Sequence, residues 1–136
     1  MNSFLSANAP RVLSLLRFIT GFLMLWHGSQ KLFNFPPSER GAASDPFMIF
    51  GGVLEFFGGV LIMIGLGTRW VAFILSGTMA VAYWKVHGLS PKGFLPIENG
   101  GELAVLYCFV FFYLFFAGGG PLSVDALIGK KHSSGE

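Results

Sequence analysis

The side chains able to do chemistry in this chain are few, and they gather. Glu55 sits inside a run of apolar residues, 47–66. A carboxylate there costs several kcal/mol, of the order of 3, unless it is paired, protonated or turned toward a wet cavity. Six further polar candidates are His27, Lys31, Lys85, His87, Glu98 and Glu102. His27 and Lys31 share a helix face, as residues four apart do. A carboxylate beside an imidazole can move protons near neutral pH, and a carboxylate beside an ammonium can hold a polar headgroup. The chemistry expected is therefore proton handling by Glu55 and His87. Lys31 and Lys85 act as counter-charges, with Glu98 and Glu102 at the mouth of a pocket that Glu55 floors.

The elements that must position these groups are four apolar runs, residues 12–33, 47–66, 70–87 and 100–117. Each is long enough, at about 1.5 Å per residue, to cross roughly 30 Å of hydrocarbon. In lipid only helices or closed barrels satisfy the backbone, and these runs lack the alternation of barrel strands. The fold class expected is an all-α integral membrane protein, a four-transmembrane-helix up-down-up-down bundle over residues 11–120. Residues 1–10 and 121–136 are expected as cytoplasmic tails, with 130–136 disordered. Gly67-Thr68-Arg69 reads as a tight turn between the second and third helices. Proline and glycine punctuate longer loops at 34–46 and 88–99.

With that order, the ends of helices one and three and the starts of helices two and four meet on one side. Glu55 lies about 12 Å below that level. Glu98 and Glu102, four apart, are expected on one face of helix four. Arg17 stands near the opposite end, and either snorkels to the interface or reaches toward Glu55. Lys31 and Lys85 also have a plain reading as snorkelling anchors. Gly51, Gly58 and Gly65 recur by sevens, as do Gly52 and Gly59. Such small residues let a neighbouring helix approach, and are expected to hide Glu55 from lipid or to serve a homodimer. The aromatic residues of helix four, Phe109, Phe111, Phe112, Phe115 and Phe116 among them, read as lipid-facing bulk or the wall of a flat cleft.

Composition narrows the class. The chain is 53% hydrophobic and only 12% charged, against about 25% charged in soluble domains. Its net charge of +2, without a basic run, argues against nucleic acid as a partner. The single cysteine, Cys108, excludes a structural disulfide or a self-contained dithiol site. No metal site or heme is expected. A cleaved leader is a poor fit, because Ala7-Asn8-Ala9 precedes the apolar run instead of following it. Arg11, Arg69, Lys130 and Lys131 gather on the side of the termini. That favours both termini in the cytoplasm.

The chain resembles the DoxX family of small four-helix membrane proteins. The likeness spans roughly residues 11–129. It rests on Arg17, Gly21, His27-Gly28 and Lys31, on the block from Gly51 to Gly59 around Glu55, on Gly65-Leu66, on His87, and on Glu98-Asn99 with Glu102-Leu103-Ala104. The resemblance implies a bundle in the bacterial inner membrane. DoxD-type relatives are associated with a thiosulfate:quinone oxidoreductase, mycobacterial relatives with a membrane oxidoreductase complex, and the MauE group with disulfide formation. By resemblance, Arg17, His27, Lys31, Glu55, His87, Glu98, Asn99 and Glu102 are the functional positions. The expected role is an accessory subunit of a membrane redox system, binding a quinone, lipid or small polar molecule and a membrane or periplasmic redox partner. The rivals are an assembly protein whose polar cluster fixes the fold, and an oligomeric transporter for a small solute.

Overall fold

The computed structural model describes residues 2–133, and the last part of the tail expected to be disordered, 134–136, lies outside them. Among the described residues every regular element is helical. Helix α1 spans Asn2–Phe33, α2 Pro46–Ile64 and α3 Thr68–Ala82, which continues without a break into a π-helical segment, Tyr83–Gly88. The short α4 spans Pro96–Asn99, α5 Glu102–Ala117 and α6 Val124–Ser133. Helices α1 and α2 are long and apolar enough to cross a membrane.

Three boundaries differ from the sequence reading. Helix α1 begins ten residues earlier than the apolar run and continues through Pro10, where Ser14 donates back to the Pro10 carbonyl at 3.3 Å. The fourth long helix begins at Glu102 instead of Gly100, because Gly100 adopts the left-handed conformation with φ 73° and ends α4. The C-terminal segment 124–133 is helix.

The start of α2 carries strong signals. Asp45 caps it by accepting from the Met48 amide at 3.0 Å, and Pro46 fills the first turn. Its end is set by Gly65 at φ 75°, where a side chain would be strained, with the Gly65 amide on the Leu61 and Ile62 carbonyls. The turn into α3 is thus residues 65–67, two residues earlier than the tripeptide expected and sharing Gly67 with it.

Helices α1 and α2 run antiparallel in backbone contact. A methyl group added at Gly28 would lie 2.3 Å from the Phe56 amide nitrogen, and one at Gly59 2.6 Å from that of Leu25. Gly21 and Gly28 on α1 thus face Gly52 and Gly59 on α2. That stripe is filled inside the chain. Gly58 instead receives Leu75 of α3. Helices α3 and α5 form the second antiparallel pair, joined where Ser76 donates to the Cys108 carbonyl at 2.9 Å. Met24, Ile62, Leu75, Phe111 and Leu114 are fully buried between the pairs. Outside, Phe22, Phe57, Phe73, Phe109, Phe112 and Phe116 are exposed on all sides. A soluble domain does not carry so much apolar surface, whereas hydrocarbon solvates it.

Candidate functional site

Away from the 65–67 turn, the two helix pairs part and enclose a cavity of about 420 Å³. All four long helices contribute to it. Lys31 and His27 come from the end of α1, Glu55 and Gly51 from α2, Met79 and His87 from α3 and its π-helical continuation, and Tyr107 from α5. Glu55 is 2% exposed, and its Oε1 lies 2.5 Å from Lys31 Nζ. So the carboxylate anticipated as costly is answered by the lysine one helix away. The close α1–α2 packing brings them together: a Cβ on Gly52 would meet the Lys31 side chain at 2.9 Å. The second carboxylate oxygen, Oε2, has no hydrogen-bond partner among the described residues.

The imidazoles differ. His27 stands edge-on to Tyr107, ring centroids 5.8 Å apart. His87 Nδ1 is 3.0 Å from the Asn99 carbonyl oxygen. A carbonyl only accepts, so Nδ1 carries a proton and the neutral ring keeps its lone pair on Nε2. The wide π-helical turn helps aim this ring, as such turns do at many functional sites. The same turn sends Lys85 elsewhere. Lys85 is exposed, with its ammonium 4.8 Å above the Phe47 ring centroid.

Four of the expected positions are therefore in the cavity wall: His27, Lys31, Glu55 and His87. Five are not. Lys85 braces the start of α2 from outside. Glu98 is exposed on α4, and Glu102 is exposed on the outer face of α5 beside Leu106 and Phe109. The expected shared face of Glu98 and Glu102 fails because Gly100-Gly101 interrupts the helix between them. Asn99 is a loop clamp. Its amide donates to the Gly93 carbonyl at 3.1 Å and to the Tyr83 hydroxyl at 3.3 Å, while its oxygen accepts from the Gly101 amide at 2.9 Å. Tyr83 completes the clamp by donating to the Phe94 carbonyl.

Arg17 is at the opposite end, 2% exposed, and neither snorkels nor reaches Glu55. Its guanidinium donates to four carbonyls: Ile62 at 2.6 Å, Met63 at 2.5 Å, Gly119 at 2.8 Å and Leu122 at 2.6 Å. The first two are C-terminal carbonyls of α2, where Ile62 has otherwise only the Gly65 cap amide and Met63 has no other donor among the described residues. Asp125 finishes this knot by accepting from the Gly67 amide at 2.7 Å and the Thr68 amide at 2.9 Å, capping α3 from a distance. Burial pushes the Asp125 carboxyl up, but those two amides and the nearby Arg17 charge outweigh it and hold it below the usual carboxylate range.

Tyr107 and Arg40 line the cavity without having been singled out as site residues. Tyr107 is one of the many aromatic residues of helix four. Its signal was the five-residue step from Glu102, which turns it inward while Glu102 turns out. Arg40 lies in an irregular loop, where spacing carries no facial information.

A family model described as DoxX matches residues 12–88. The chain belongs to the DoxX family. A Haemophilus influenzae protein is 42% identical over 127 residues, covering 90% of this chain and 94% of its own length. A Mycobacterium tuberculosis relative, described as an uncharacterized membrane protein, is 30% identical and covers 93% of this chain and 87% of its own. No solved structure matches. This DoxX chain is accordingly a membrane protein. The matched segment contains His27, Lys31, Glu55 and His87, whereas Tyr107 and the α5 wall lie beyond it.

Proposed function

We propose that this protein is an accessory subunit of a membrane redox system, and that its cavity holds a quinone or another lipid-soluble small molecule. It crosses the bacterial inner membrane four times, up-down-up-down, through α1, α2, the α3 π-helical rod and α5. Both termini are cytoplasmic, on the side of Arg11 and Arg69. The cavity then opens toward the periplasmic half, where a redox partner can approach. Glu55 and His87 hold and pass protons at Oε2 and Nε2, Lys31 is the counter-charge to Glu55, and His27 and Tyr107 orient the ligand. A quinone-type ligand would supply the electron chemistry when bound.

The observation that carries this reading is the buried Glu55 carboxylate in the cavity wall, paired with a half-buried Lys31 and left with one oxygen unpartnered among the described residues. A fold lock would satisfy both oxygens, as Arg17 satisfies its own donors at the other end. The volume of about 420 Å³ falls in the usual range for ligand sites. The test is mass spectrometry of organic extracts from detergent-purified protein. A stoichiometric lipid-soluble ligand is expected, and Glu55→Gln should lose it. Unchanged ligand content and unchanged cellular phenotype in Glu55→Gln would refute the reading.

A further inference from the structure

The cavity has a side opening as well as a mouth. Helices α2 and α3 leave the 65–67 turn in contact at Gly58 and Leu75, where a methyl on Gly58 would lie 3.0 Å from the leucine. They meet again at the far end, where Lys85 covers the Phe47 ring. Between those contacts, about 16 Å along α2, both helices place glycine on the gap. A methyl on Gly51 or on Gly77 would meet nothing within 4 Å. Both glycines line the cavity, and Phe50 and Val81 stand exposed at the same level. These glycines do not serve packing, unlike Gly28 and Gly59.

Glu55 lines the cavity behind this window, and its Oε2 is a buried acceptor with no donor among the described residues. A buried acceptor left unmatched is costly, so its natural complement is a hydrogen-bond donor carried in by the occupant. A second cation there would compete with Lys31, and an anion would be repelled by the carboxylate. The matching group is a neutral hydroxyl.

Resting on the proposed ligand-binding role, we infer that the occupant is a chain-bearing phenol or alcohol that enters sideways from the bilayer between α2 and α3. Its hydroxyl donates to Glu55, and its chain trails out past Gly51 and Gly77. The window is thus a specificity device. It selects for lipid-soluble molecules, and the orphan oxygen selects for protic headgroups over their ethers or esters.

Two probes test this, 4-decylphenol and 4-decylanisole, alike except for the hydroxyl proton. Equilibrium dialysis against the purified full chain in lipid nanodiscs should show the phenol bound at least about ten-fold more tightly, the range expected for a hydrogen bond to a charged group. Gly51→Leu should weaken both probes about ten-fold, while Val53→Leu, on the face away from the cavity, should not. If Gly51→Leu does not fold, Gly77→Leu closes the window from α3. Equal binding of the two probes overturns the inference and leaves the pocket reading standing. Binding of neither probe overturns both. Undiminished binding in folded window variants overturns the side entry.

Discussion

The Arg17 knot allows a stability prediction worked from individual bonds. Replacing Arg17 with Met keeps a long apolar stem and removes all four donors. The Ile62 carbonyl retains the Gly65 amide at 3.1 Å, and the Gly119 carbonyl retains a weak contact from Ser14 at 3.5 Å. The Met63 and Leu122 carbonyls keep no donor among the described residues. Each orphaned acceptor costs about 1–3 kcal/mol, and relief of the buried guanidinium's desolvation offsets part of the sum, leaving a net loss of about 2–4 kcal/mol. Arg17→Lys should recover less than half, because a point ammonium cannot reach carbonyls on α2 and on the 118–122 segment as a planar fork does. The assay is reversible unfolding in mixed micelles at rising dodecyl sulfate fraction, followed by far-ultraviolet circular dichroism. Stability of Arg17→Met within about 0.5 kcal/mol of the parent would refute the reasoning, since surface substitutions commonly fall in that range.

Three further outcomes are expected. Gly28→Ala must push backbone against backbone and should cost about 1–3 kcal/mol, whereas Gly51→Ala, facing open space, should be neutral or slightly stabilising in the same titration. Lys31→Met strands a buried carboxylate and should cost about 3–5 kcal/mol, and the Lys31→Met/Glu55→Gln double variant should recover much of that. A double variant no better than the single would remove the ion-pair explanation. Asp125 has a lowered folded-state pKa, so its contribution is full above the unfolded value of about 4 and is lost as pH falls through the lower folded value. Melting curves of the parent and Asp125→Asn should therefore differ by a constant amount above about pH 5 and converge in acid; a gap that widened in acid would reverse the sign.

The helical class and the partnership of Lys31 with Glu55 were legible because apolar run length and helical spacing are local properties. So was the convergence of His27 and His87 on one end. What escaped was set by single backbone events and by direction. Gly100-Gly101 reads as the start of the fourth apolar run, yet it separates Glu98 from Glu102 and turns both outward. The π-helical turn adds about one residue to a helical turn, and a constant-period reading has no place for it. Lys85 is misplaced for that reason. The heptad of glycines gave the right stripe but the wrong face for Gly51, which opens the cavity instead of closing a contact. Arg17 looked like an interfacial cation because its acceptors are main-chain carbonyls, which no side-chain pattern announces.

The knot also orders the making of the molecule. Arg17 bonds to α2 across 45 residues of sequence, but to Gly119 and Leu122 across 102 and 105. A ribosome delivers the α1–α2 hairpin first, and that hairpin can close on its own glycine faces. The α3–α5 hairpin arrives later, held to the first by the 65–67 turn and the Gly58–Leu75 contact, and its bonds to Arg17 wait until residues 119–122 emerge. Nascent chains halted before Gly119 should therefore hold a protease-resistant first hairpin and a loose second one. Residues 119–125 act as a latch, and the cavity between the hairpins takes its shape only when that latch closes.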